Sequence, residues 1–188
     1  MGVYTNLGRN LRARDFISHV PKIWIVLSRN DYIGGLSSPW PNESVPPAEV
    51  PTDGPSIPEF SPSAGCKRAD EASLVKQDTN GNILFGGVTW SRTTGDDAKY
   101  VYLKFTIQPD DFTVNGDGQA TIAAYRRLCI LLDATPFGNV NALTARYDIL
   151  QQGGPPFPGA GYMVFYTNDI KRVRGAGEVH VLEIILPM

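Results

Sequence analysis

The sequence predicts a mainly β protein: a single β-sandwich-like domain with a short N-terminal helix or arm and a long proline-rich extended arm. The composition of the 188 residues, 42% hydrophobic and 19% charged, excludes a disordered chain, which would be poor in apolar residues. Short apolar runs separated by turn residues recur along the sequence, as expected for strands. The chain also holds 19 glycines and 15 prolines, which indicates much turn and extended coil.

The N-terminal arm covers about residues 1–21. A helix is predicted over residues 5–18, with Thr5 or Asn6 as its cap, because apolar residues recur at helical spacing: Leu7, Leu11 and Phe16. An irregular arm is the alternative. Pro21 ends this segment, and residues 22–28 read as a compact apolar strand.

The proline-rich arm covers about residues 37–65. The 24 residues from Pro39 to Pro62 hold eight of the fifteen prolines. Proline lacks an amide donor and fixes φ, so the segment forms neither a helix nor a sheet interior. It is expected to be a linker or an extended arm that lies over a surface. Trp40, which stands between Pro39 and Pro41, is a candidate buried anchor for such an arm. The alternative is that Trp40 folds back onto its own domain.

The rest of the chain reads as strands and turns. Asn80-Gly81 predicts a hairpin between residues 72–76 and 82–86, because a type I′ turn needs positive φ at both central positions. Residues 100–107 alternate as in a half-buried strand. Cys66 is placed in coil and Cys129 in a buried strand. The remaining predicted strands are 88–90, 125–132, 161–166 and 178–186, with 171–174 pairing between the last two.

Charge is distributed unevenly. Residues 1–30 carry five Lys/Arg and one acid, whereas residues 31–98 carry four Lys/Arg and ten acids, so their net charges are +4 and −6. This pattern suits a protein that docks on copies of itself or on charged neighbours, with solvated surface as the alternative. A pI near 5.7 argues against a general nucleic-acid binder.

No pattern in the sequence favours catalysis or a cofactor. The only histidines are His19 and His180, and no nucleophile motif or phosphate-binding loop accompanies them. Residues 78–82 and 115–118 resemble calcium loops weakly, but neither has the closing glutamate. Two cysteines make no disulfide framework, and no apolar span reaches bilayer length. The N-terminus lacks a secretory signal, so we expect synthesis in a cytoplasm. Because no metal-ligand or cofactor motif is present, we expect no metal or cofactor.

Three segments, in order, resemble the baseplate wedge protein family of contractile-tailed bacteriophages. The first is the strand 23–28 followed by Asn30-Asp-Tyr-Ile-Gly-Gly-Leu-Ser-Ser-Pro-Trp40 and a Pro-Pro pair at residues 46 and 47. The second is Tyr125-Arg-Arg-Leu-Cys-Ile-Leu-Leu-Asp-Ala-Thr-Pro136. The third is Gly161-Tyr-Met-Val-Phe-Tyr-Thr-Asn168 with the final strand 178–186. The match covers about a third of the chain and lacks the long middle region of larger family members.

The resemblance implies a non-enzymatic virion protein that builds the baseplate wedge through contacts with copies of itself and other tail proteins. The expected interface residues are Pro39, Trp40, Pro46, Pro47, Arg9, Arg12, Arg14, Arg172 and Arg174. One alternative is a neck or head–tail connector. Others are a host-glycan-binding module that uses exposed Trp90, Tyr100 and Tyr102, and a hydrolase that uses a histidine.

Overall fold

The computed structural model describes residues 5–28, 32–33, 36–37, 65–109, 111, 124–135, 142–146, 160–173 and 177–188. These residues form one helix and twelve strands, which confirms the mainly β class and the short N-terminal helix. The elements are α1 Asn6–Ser18, β1 Ile23–Ser28, β2 Tyr32–Ile33, β3 Leu36–Ser37, β4 Gly65–Arg68, β5 Glu71–Gln77, β6 Ile83–Phe85, β7 Val88–Arg92, β8 Tyr100–Ile107, β9 Ala124–Ala134, β10 Thr144–Arg146, β11 Ala160–Val173 and β12 His180–Pro187.

The chain divides into two compact units. The first, the helix unit, comprises residues 1–21, 69–106 and 181–188; the second, the central-strand unit, comprises residues 22–68 and 107–180. Each unit contains one five-stranded sheet. The assignment of residues 1–188 to a single domain stays a prediction, and the proline-rich arm lies almost wholly outside the described residues.

In the helix unit, α1 begins at the predicted cap. The Thr5 hydroxyl accepts a hydrogen bond from the Gly8 amide at 3.1 Å. The buried side of the helix is nevertheless different from the expected one: Asn10, Ala13 and Phe16 are buried, whereas Leu7 and Leu11 are 62% and 58% exposed. The expectation that both leucines share an apolar face with Phe16 is therefore wrong. The buried face is made of residues three positions apart, at 10, 13 and 16.

The sheet of the helix unit has the order β12-β8-β5-β7-β6, which corrects the predicted hairpin. Strands β5 and β6 are not neighbours, because β7 lies between them and pairs with both. Asn80-Gly81 does form a turn, with the Gly81 amide 2.9 Å from the Asp78 carbonyl oxygen. The two-residue hairpin turn is instead Gly86-Gly87, whose φ angles are 59° and 77°.

Strand β8 is more buried than a half-exposed strand should be. The face of Val101, Leu103 and Phe105 is buried as predicted. On the opposite face, Tyr102 is buried as well and belongs to an apolar cluster with Val75, Ile83 and Trp90. Packing in this cluster therefore buries Tyr102, which the alternation pattern assigned to the solvent-facing side.

The sheet of the central-strand unit has the order β10-β4-β1-β9-β11. Residues 23–27 of β1 are all buried, so both faces of the central strand are covered. This explains the uninterrupted apolar run in the sequence. Cys66 lies in β4 opposite Val26, and Cys129 in β9 lies opposite Val26 from the other side. Both cysteines are free and buried, so the placement of Cys66 in coil is wrong.

Strand β11 is longer than predicted. It pairs with β9 from Ala160 to Val173, with register shifts between Met163 and Phe165 and between Asn168 and Arg172. Residues 171–173 therefore continue β11 and do not form a separate pairing segment. Bulges of this kind allow one strand to bend while it keeps its partner.

Candidate interaction surface

The structure places some of the predicted interface residues and leaves others undescribed. Arg9, Arg12 and Arg14 lie on α1. Arg172 lies in β11 opposite Tyr125. Outside the described residues are Pro39, Trp40, Pro46, Pro47 and Arg174. The arginines of α1 are therefore the only predicted interface side chains whose surroundings can be examined within the described ranges.

Arg14 holds the helix against the loop that follows β7. Its Nε donates to Asn10 Oδ1 at 2.9 Å, and its Nη2 donates to the Thr94 carbonyl oxygen at 2.9 Å and to Asp96 Oδ1 at 3.1 Å. The buried Asn10 amide donates to the carbonyl oxygens of Gly95 and Ala98 at 3.2 and 3.0 Å. These bonds satisfy a buried polar side chain and fix the position of α1.

An open cleft of about 930 Å³ lies beside α1 within the helix unit. Apolar residues of α1 and β5 contribute to its lining: Ile17, Ala72 and Leu74. Two cations and four hydroxyl groups complete the lining: Arg14, Arg92, Ser18, Ser73, Thr93 and Thr94. We call this the helix cleft. Its mixture of apolar surface and guanidinium groups suits a ligand that carries both apolar groups and carboxylates.

Arg92 connects the helix cleft to a polar network across the sheet. Its Nε and Nη2 donate to the two carboxylate oxygens of Glu71 at 2.5 and 2.8 Å, a bidentate geometry. The hydrogen bond from Arg92 lowers the pKa of Glu71 and raises that of Arg92. The Arg92 guanidinium also lies 5.6 Å from the centre of the Tyr102 ring. Glu71 therefore stays ionised at neutral pH.

Tyr102 extends this network to β12. Its hydroxyl donates to Glu183 Oε1 at 2.6 Å. Burial, followed by the hydrogen bond to Glu183, raises the pKa of Tyr102 above its ordinary value. The phenol is therefore protonated and acts as the donor at neutral pH.

The side of α1 next to Arg14 presents apolar groups to solvent. Leu7, Leu11, Arg14 and Ser18 follow one another at i, i+4, i+7 and i+11, so they form a row along one side of the helix. Arg14 and Ser18 line the helix cleft, and the two exposed leucines continue the row toward the N-terminus. The two leucines therefore add exposed apolar area beside the helix cleft.

A further ion pair lies in the central-strand unit and was missed by sequence reasoning. Lys67 Nζ donates to Asp111 Oδ2 at 2.8 Å, and the same carboxylate oxygen accepts a hydrogen bond from the Gln108 backbone amide at 2.7 Å. Both side chains of the pair are largely buried. The two residues are 44 positions apart in the sequence, so no local pattern could have paired them.

The aromatic side chains that a glycan-binding module would need are not exposed. Trp90 is 6% and Tyr102 is 2% exposed, and Trp90 packs edge-on against Tyr100 with ring centroids 4.8 Å apart. The expectation that these three rings form an exposed stacking platform is wrong for Trp90 and Tyr102, because the apolar cluster of the sheet buries them.

The histidines are set in ordinary structural surroundings. His180 Nε2 lies 3.4 Å from Glu178 Oε2, and His19 caps the C-terminal end of α1. They fall in different compact units. Among the described residues, no three His, Cys, Asp or Glu side chains are grouped as metal ligands. In the same residues, no helix has the length and apolar content to cross a membrane.

Two antiparallel sheets, an anchored helix and a cleft of mixed polarity characterise the described part of this mainly β protein. The family model described as "Baseplate wedge 3 tail fiber network component" matches residues 1–188, and the chain belongs to this family. The protein is accordingly a structural component of the phage tail baseplate, as the resemblance implied. No curated protein matches the sequence.

Proposed function

We propose that this protein is a non-enzymatic baseplate component that joins wedge subunits through contacts with copies of itself and with other tail proteins. The family match over the whole chain is the observation that carries the proposal. The exposed leucines of α1 and the nearby helix cleft support it, because they offer apolar and charged contact area on one side of the helix unit. Contractile tails are the expected setting, and nucleic acid is not an expected partner.

The interface is proposed to use two parts of the chain. One is the basic helix with Arg9 and Arg12; the other is the proline-rich arm with Trp40 and the Pro46-Pro47 pair. Extended proline-rich segments dock on aromatic and apolar surfaces with little loss of conformational entropy, since their backbone is already restricted. Arg172 and Arg174 are proposed as further charged contacts.

Complementation of a phage that lacks this protein tests the proposal. We expect Trp40→Ala and the double variant Arg9→Gln/Arg12→Gln to lower the yield of complete baseplates in negative-stain images. The matched control is His19→Asn/His180→Asn, which removes both histidines and should leave assembly and infectivity intact. Loss of infectivity in the control with normal baseplates would instead support the hydrolase alternative and overturn the non-enzymatic assignment.

A further inference from the structure

We propose that the helix cleft receives residues 43–49 of a neighbouring copy of this chain. The inference rests on the proposed function, whose self-association it makes specific. The segment reads Glu43-Ser-Val-Pro-Pro-Ala-Glu49 and lies in the proline-rich arm outside the described residues. It places one carboxylate at each end of a short apolar stretch.

The lining of the helix cleft has the complementary chemistry. Apolar side chains from α1 and β5, Ile17, Ala72 and Leu74, contribute to it together with two guanidinium groups. Val45 and the two prolines would contact the apolar residues, while the terminal carboxylates would meet Arg14 and Arg92. Arginine is the side chain best suited to hold a carboxylate, because its planar fork donates several hydrogen bonds at once.

Both arginines keep donors for a ligand. Arg14 and Arg92 are 44% and 45% exposed at the side chain although each already holds a carboxylate. The hydrogen bonds found for them among the described residues use Nε and Nη2 only. A guanidinium has five N–H donors, so each Nη1 can bond a second carboxylate.

Charge agrees with this occupant. The arm from Pro39 to Pro62 contains four acids and neither lysine nor arginine, whereas α1 contains three arginines and one acid.

Disulfide capture between two populations of the full-length chain tests the proposal. One population carries Thr94→Cys in the helix cleft, and the other carries Ala48→Cys in the arm and a mass tag. We expect a covalent heterodimer. The matched control replaces Thr94→Cys by Thr79→Cys, an exposed turn residue of the same unit that is not among the cleft residues. The native cysteines are fully buried and should give little background.

A second pair of variants tests the charges. Glu43→Gln/Glu49→Gln in the arm population should lower the heterodimer yield about fivefold, as expected for the loss of two partly exposed ion pairs. Asp53→Asn/Glu59→Gln makes the same change in net charge elsewhere in the arm and should alter the yield less than about twofold.

Three results would overturn the inference. They are an equal yield with Thr79→Cys, an equal loss with the two charge variants, and, in a chain that carries both Thr94→Cys and Ala48→Cys, an intramolecular disulfide without any disulfide-linked dimer. The last result would mean that each chain fills its own cleft. If sedimentation velocity still shows self-association in these cases, only the docking site is wrong and the proposed function survives.

Discussion

At the scale of single residues, the burial of polar groups is the feature that is hardest to predict from the sequence. Lys67 stands in a short strand next to Cys66, and nothing around it indicates that its ammonium group is buried. The structure pairs it with Asp111, and a buried pair is costly to break because the remaining charge stays without compensation. Asn10 is a similar case, since its helical position gives no sign of the carbonyl groups it binds.

Replacement of Asp111 by alanine should lower the free energy of unfolding by about 3–5 kcal/mol, because it leaves the Lys67 ammonium buried without this partner. The double variant Lys67→Met/Asp111→Leu should recover most of that loss, since an apolar pair needs no compensation. Urea unfolding followed by circular dichroism measures both. A loss below about 1 kcal/mol in the single variant would show that the pair behaves as an exposed one.

The Glu71–Arg92 pair should make stability depend on acid. The hydrogen bond from Arg92 lowers the pKa of Glu71 in the folded protein, so its contribution is fully present above the unfolded pKa and is lost as the pH falls through the folded value. The difference in unfolding free energy between the wild type and Glu71→Gln should therefore be constant from about pH 6 to 8 and shrink toward pH 3.

Thermal or urea unfolding across that pH range provides the measurement. In an Arg92→Gln background, the effect of Glu71→Gln on the unfolding free energy should depend much less on pH. The reason is that the hydrogen bond that lowers the pKa of Glu71 is then absent. A pH dependence that is unchanged in this background would mean that another group of the protein causes it.

At the scale of elements, the position of the hairpin separates what local sequence determines from what it does not. Both Asn80-Gly81 and Gly86-Gly87 are good turn pairs, and only the pairing of β7 between β5 and β6 decides which one closes a hairpin. Gly81 has its own reason for being glycine: a Cβ there would lie 2.3 Å from the Trp90 carbonyl oxygen. Strand existence is a local property, whereas strand order depends on the whole sheet.

Gly86 offers a clean test of this turn because a Cβ at this position meets no atom within 4 Å, so only its φ of 59° matters. Gly86→Val should lower the free energy of unfolding by about 1–2 kcal/mol, since a β-branched residue is strained at positive φ. Gly86→Asn should cost less than Gly86→Val, because asparagine tolerates this region. Equal losses in a urea titration would show that the turn relaxes to another conformation.

In helix α1, too, the local sequence determines the position of the element but not which of its sides is buried. Thr5 marks its beginning correctly, but tertiary contacts choose the side that is buried. Phe16→Ala should cost about 3–5 kcal/mol of unfolding free energy as a large side chain leaves the core. Leu7→Gln/Leu11→Gln should stay within about 0.5 kcal/mol per site, because both leucines are exposed. Comparable losses in the two variants, measured by urea unfolding, would place the leucines in the core after all.

At the scale of the whole molecule, the sequence predicts class better than site. Apolar runs and turn residues were sufficient to predict the mainly β class. The three segments that resemble the family, taken in their order along the chain, were sufficient to predict a baseplate protein. The helix cleft was not predictable, because Arg14 and Arg92 are 78 residues apart and meet only through the packing of α1 on the sheet. The uneven charge is visible in the sequence, but which cations line the helix cleft is known only from the structure.

The proline-rich arm provides the last prediction. If the arm serves assembly and not folding, exchange of residues 39–62 for a flexible Gly/Ser segment of equal length should leave the far-UV spectrum and the urea midpoint nearly unchanged. Equal length keeps the loop-closure entropy similar between the strands that flank the arm. The exchanged chain should then fail to self-associate in sedimentation velocity and fail to complete baseplates.

A control chain with residues 39–62 in shuffled order retains composition and net charge but loses the Glu43–Glu49 pattern, and it should fail in the same way. Normal assembly of the shuffled chain would show that charge and proline content alone are enough, whereas a large fall in the urea midpoint of either chain would make the arm part of the folded body.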